Sequence, residues 1–120
     1  LVEADRFPVE RLRQEPFIEF LPGQETDNSR MLQQLQIRPK IRFATSDSRA
    51  AIAMVRAGLG ITLLNDILTA DLADGVAVLP LDPPQSVHLG IALPEEEHVS
   101  PAAKRFITYA LDRLPELDVL

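Results

Sequence analysis

Cysteine is absent from the 120 residues. That excludes a disulfide framework, a thiolate nucleophile and a cysteine-based metal site, and it fits a reducing compartment. Histidine is scarce: His88 and His98 are the only two. Neither has a second His or a carboxylate at metal-ligand spacing. His88 alternates out of a predicted strand and His98 sits in an acidic loop, so no metal and no histidine catalysis are expected. Basic charge is also thin. Twelve Lys and Arg are scattered among eighteen acids, for a net charge of -6. A nucleic-acid footprint needs clustered basic residues, so this chain alone is not expected to hold DNA or RNA tightly. No apolar run approaches the roughly 20 residues that span a bilayer. The first stretch, LVEADRFPVERLR, is charged and lacks the apolar region of a signal peptide. No Met stands at position 1, and the chain is expected to be an excised or truncated piece.

Cofactor and nucleophile motifs are missing as well. Gly58 and Gly60 lack a third glycine and precede a strand rather than a helix, so they make no dinucleotide fingerprint. Ser46 beside Asp47 lacks a nucleophile-elbow pattern. No cofactor is expected, and no catalytic pair stands out.

What is present is an ordinary globular composition, 46% hydrophobic and 25% charged, enough for one domain or part of one. The chain is organised around Thr45 to Asp66, TSDSRAAIAMVRAGLGITLLND. The run Thr45-Ser46-Asp47-Ser48 can cap a helix. Gly58 can close that helix in a left-handed conformation, with Leu59 returning to Met54 in a Schellman-type end. Ile61 to Leu64 is a short apolar run, the pattern of a strand covered on both faces. Asn65 or Asp66 then caps a short helix whose apolar side is Ile67, Leu68, Leu72 and Ala73, ended by Asp74-Gly75.

On the amino-terminal side, Pro8 can open a helical turn through Arg13. Phe17 to Leu21 reads as a strand, stopped by Pro22-Gly23. Asp27 is the expected N-cap of a helix with Met31, Leu32 and Leu35 on one stripe. Arg38-Pro39 is expected to end it, and Ile41 to Ala44 reads as a strand. On the other side, Val76 to Leu81 and Val87 to Leu93 read as strands, joined by a turn at Asp82 to Ser86. Pro94 to Glu97 is a solvated acidic connection; Glu95-Glu96-Glu97 has a second reading as metal ligands, with a solvated charge run preferred. Ser100 caps a last helix with Pro101 at its first position. Ala103, Phe106, Ile107, Ala110, Leu111 and Leu114 form its apolar stripe and Pro115 ends it. Strands alternating with helices argue an α/β fold with a mainly parallel sheet. The last helix has no evident partner face in so short a chain.

These residues resemble the effector-binding domain of LysR-type transcriptional regulators, over roughly Val9 to Leu114. LRQEPFIEF, IRPKIRFATSD, VRAGLGITLL, GVAVLPL, HLGIAL and SPAAKRFITYAL follow in the family's order. VRAGLGITLL is the most recognisable piece. Departures are small. Gln36-Ile37 stands where a Gly-aromatic pair is common, and Asn65 where proline is common.

The resemblance implies a periplasmic-binding-protein-like (type 2) lobe, with a mixed, mainly parallel sheet flanked by helices. Residues 1–93 would be the second lobe of a two-lobed sensor. Residues 94–120 would cross back, so that the last helix docks on a first lobe or on a partner chain. A winged helix-turn-helix outside this sequence would bind DNA. Small effectors, carboxylates among them, would bind between the lobes of a cytoplasmic dimer or tetramer that makes no membrane contact and catalyses no reaction.

Thr45, Ser46 and Asp47 match the family's cleft loop. A helix start there offers backbone N–H groups and a positive dipole end to an anion. Asp47 has a second reading, as a helix cap whose charge repels an anion. Pro22 and Gly23, within Leu21 to Gln24, would line the same crevice, or form a plain surface turn. Arg30 can reach an anion or simply face solvent. Two rival readings stand beside this one: a fragment of a transporter's periplasmic solute-binding protein, and a small α/β enzyme.

Overall fold

The computed structural model describes residues 5–69, 74–87 and 90–114. The chain divides into two units, Leu1–Val87 and His88–Leu120.

In the first unit, β1 (Phe7–Pro8) leads into a 3-10 turn, Val9–Arg13, started by Pro8. Then come β2 (Pro16–Phe20), α1 (Asp27–Gln34), β3 (Lys40–Thr45) and α2 (Ser48–Arg56). A single helical turn, α3 (Asp66–Thr69), and a two-residue strand, β4 (Leu81–Asp82), complete it. β2 pairs with β3 and β1 with β4, both parallel, and Phe17 makes an isolated parallel bridge to Ile61. Every pairing among the described residues therefore has the expected parallel sense.

The core follows from which face each element buries. Phe7, Val9, Leu12, Phe17, Leu32 and Ile37 form one buried cluster, with Met31, Leu35, Ile61, Leu63, Leu79 and Leu81 packed against it. Removing a large apolar side chain from water stabilises by about 1.5–3 kcal/mol, so this cluster dominates the unit. Ile18, Ala51 and Ile52 are buried apart from it, and α2 packs on β2 and β3. β2 is thus covered on both faces, as a parallel strand requires.

The helix ends are specific. The N-cap of α1 is Thr26, one residue earlier than expected. Ser29 N donates to Thr26 Oγ1 at 3.1 Å and Thr26 N to Ser29 Oγ at 2.8 Å, a reciprocal capping box. The Asp27 carboxylate instead sits in the first turn, where it suits the dipole. α1 ends at Gln34, short of Arg38-Pro39, because the chain turns left-handed at Gln36, φ +56°. Gln36 N donates to Gln33 O and Ile37 N to Leu32 O, at 3.0 and 2.9 Å. That is a Schellman end built on glutamine, sealed by the burial of Ile37 with Leu32. α2 ends on the same motif with its expected glycine. Gly58 has φ +80°, Gly58 N donates to Val55 O and Leu59 N to Met54 O.

Three expected strands differ. Among the described residues, Ile61 to Leu64 makes one bridge, at Ile61. Ile61 N donates to Pro16 O and Ile18 N to Ile61 O. The Ile18 carbonyl, which a continuing ladder would use, accepts from Thr62 Oγ1 at 2.8 Å. Asn28 Nδ2 takes the Leu63 carbonyl at 2.9 Å, tying the segment to α1. From Val76 to Leu81 only Leu81 is in a strand, where it meets the two-residue β1. Among the described residues of Val87 to Leu93 there is no strand; His88 and Leu89 lie outside them. So do Leu72, Ala73 and Pro115 and the side chain of Leu68. Ile67, expected on an apolar side, is 52% exposed.

The second unit carries a 3-10 turn, Glu96–His98, and α4 (Pro101–Arg113). Ser100 Oγ accepts from Ala103 N at 3.1 Å, with Pro101 in the first turn as expected. No α4 residue is buried; Phe106 and Leu111 are 65% and 60% exposed. Among the described residues no helix is long and apolar enough to cross a membrane.

Candidate functional site

Two loops leave the carboxyl ends of neighbouring parallel strands. β2 and β3 end in register, Phe20 opposite Thr45. Leu21 to Gln24 follows the first and Ser46-Asp47 the second. Crevices beyond the carboxyl ends of parallel strands are where α/β sheets bind small molecules. Pro22 and Gly23 therefore follow one strand end of the pair, and Thr45, Ser46 and Asp47 lie at and after the other. The last rung of the strand pair lies at the base of the loops: Leu21 N donates to Thr45 O at 2.9 Å.

The second loop is a helix start. Asp47 is the N-cap of α2, and its Oδ1 accepts from Arg49 N at 2.9 Å. Thr45 Oγ1 accepts from Asp47 N at 3.2 Å. That bond uses a lone pair and leaves the Thr45 hydroxyl hydrogen to donate. Ser46 and Asp47 are exposed and Thr45 is half-buried. A helix start has up to four N–H groups without helical acceptors, at the positive end of the dipole. The loop can thus offer hydroxyl and amide donors to an acceptor. Asp47 supplies the cap that fixes their directions.

The first loop is bent by unusual backbone. Leu21 has φ +58° and Gly23 φ +76°. Glycine adopts such angles freely, whereas a left-handed leucine costs about 1–2 kcal/mol. Pro22 narrows the conformations open to Leu21 further. Gln24 N donates to Leu21 O at 3.3 Å and closes the turn. Pro22 and Gly23 are exposed.

Other candidates sort themselves by their partners. Arg30 is engaged locally, its Nε 3.3 Å from Glu25 Oε1 and its Nη1 3.9 Å from Asp27 Oδ1. Sequence spacing missed one juxtaposition. The 3-10 turn brings one ligand atom each of Glu95, Glu97 and His98 within 4.8 Å of one another, and His98 Nδ1 lies 3.8 Å from Glu97 Oε1. The signal was the 95, 97, 98 spacing on a tight turn. All three are exposed, so water would have to complete any coordination there. A cavity of about 420 Å³ between β2 and α1 was also missed. Phe17, Leu32, Ile37, Ile41 and Leu63 line it, together with Leu21 and Gln24 of the first loop. Thr45, Ser46, Asp47, Pro22 and Gly23 do not. Glu19, Asn28 and Arg38 are among the polar residues that also line it, and residues of both α1 and β2 are needed to form it.

Comparison with known families gives a match. The model of the LysR substrate binding domain covers residues 1–115. No curated protein matches the chain.

Proposed function

This chain belongs to the LysR substrate binding domain family, and from that premise we propose that it is the effector-sensing second lobe of a bacterial LysR-type transcription regulator. The family has a type 2 periplasmic-binding-protein-like fold, and the parallel α/β architecture agrees with it. In our reading, residues 1–93 form that lobe, and residues 94–120 cross back to dock α4 on a first lobe or a partner chain. The exposed Phe106 and Leu111 support a docking role for α4.

One observation carries the site assignment. The loops after β2 and β3 leave neighbouring strand ends, which Leu21 N–H to the Thr45 carbonyl holds together. Thr45 and Ser46 donate to the effector, helped by backbone N–H groups of the α2 start. Pro22 and Gly23 shape the adjoining wall, and Asp47 holds the helix start. An effector with a carboxylate suits donors at a helix N-terminus. The mechanism is a population shift. Effector binding favours a closed arrangement of two lobes, and that state changes how a cytoplasmic homo-oligomer presents its winged helix-turn-helix domains. No bond is made or broken, and no cofactor or metal takes part.

The test is a thermal-shift screen of the intact sensor against small carboxylates and aromatic acids. A ligand that binds the folded state alone raises the melting temperature in a concentration-dependent way. A saturable rise from at least one compound is expected. The absence of any response across the panel, together with a secretion signal upstream in the gene, would favour the transporter reading instead.

A further inference from the structure

Leu21 stands where the β2 strand gives way to the first of the two loops proposed to contact an effector. We infer that Leu21 is a positioning residue for the effector site. Its left-handed backbone holds the β2 loop and the β3 loop in one fixed arrangement. The inference rests on the site reading above.

Three observations meet at this residue. Its φ of +58° is one that branched side chains rarely adopt. Its N–H donates to Thr45 O at 2.9 Å, and its carbonyl accepts from Gln24 N at 3.3 Å. Strain of this kind persists only where surrounding bonds over-determine it, and it gathers at binding sites and switches. Here the strain has a geometric product. β2 runs parallel to β3 up to Phe20 and Thr45. The left-handed turn at Leu21 then bends the chain sharply, while its N–H still reaches the neighbouring strand. Pro22 and Gly23 consequently leave the strand axis in a turn that Gln24 N closes on the Leu21 carbonyl. An extended residue at this position would carry Pro22 and Gly23 onward and separate the two loops.

The role belongs to the backbone and not to the side chain, and that makes it testable without an effector. In the 15N-labelled full chain, amide hydrogen exchange at residue 21 and the amide shifts of Thr45 to Asp47 are measured for Leu21→Gly and Leu21→Val. Glycine adopts the left-handed angle freely, whereas a β-branched residue resists it. Leu21→Gly is expected to keep slow exchange at residue 21 and native shifts at Thr45 to Asp47. Leu21→Val is expected to speed that exchange at least tenfold and to move those shifts, with Phe17 and Ile18 amides unchanged. If Leu21→Val disturbs Phe17 and Ile18 as well, Leu21→Ala replaces it, with the same ordering relative to glycine expected. A side-chain packing role reverses the order, because glycine removes the whole side chain. Native behaviour in the valine variant, or a glycine variant disturbed as much as the valine one, overturns the inference. Failure of the effector site itself would appear separately, as an effector response indifferent to Thr45 and Ser46.

Discussion

Gln36 occupies a backbone position that glycine fills without strain. Its φ of +56° completes the Schellman end of α1, and nothing in its polar side chain requires that angle. Gln36→Gly should therefore stabilise the fold by about 0.4–1 kcal/mol in chemical denaturation, since the native strain relieved outweighs the extra freedom of the unfolded chain. An unchanged or lowered midpoint would mean that the glutamine is held by something more than the turn. Gly60 poses the opposite case. A Cβ there would lie 2.4 Å from the Pro16 carbonyl oxygen, the atom that accepts from Ile61 N. Gly60→Ala is expected to cost about 1–3 kcal/mol, because backbone must shift to relieve the overlap. Gly58 was legible as a helix end from its residue type. The left-handed Leu21 and Gln36 were not, since neither residue type signals positive φ.

Among the elements, helices were more legible than strands. A helix carries its hydrogen bonds, caps and apolar stripe within a dozen residues. α1, α2 and α4 consequently appear where periodicity and capping residues placed them, within a residue or so at their starts. A strand is defined by a neighbour distant in sequence. The apolar runs at Ile61 and Val76 say nothing about where a partner ends, and Thr62 Oγ1 occupies the carbonyl that a longer ladder would use. The cap of α2 also has a consequence that separates structure from charge. Asparagine caps as well as aspartate, whereas alanine loses about 0.5–2 kcal/mol. Asp47→Asn should therefore unfold at nearly the wild-type midpoint, and Asp47→Ala should be clearly less stable. Equal losses in both would mean that the carboxylate charge, not the Oδ1 cap to Arg49 N, holds the helix start.

For the whole molecule, net charge and family membership lead to one expectation. With a net charge of -6 and scattered Lys and Arg, this chain alone should not shift duplex DNA at physiological salt in a gel assay. Tight binding there would contradict the proposal that DNA is bound only through another domain. The two loops proposed as the site were legible as loops because polar residues follow strand-like runs at both places. Their bond through Leu21 was not legible, since it depends on the register of β2 against β3. The central claim is that Thr45 and Ser46 contact an effector. The direct measurement is the effector dose response of the full-length regulator with Thr45→Ala and Ser46→Ala together. At least a tenfold weaker half-maximal response is expected, in a protein that melts within a few degrees of wild type. A dose response superimposable on wild type, in an equally folded protein, would contradict it.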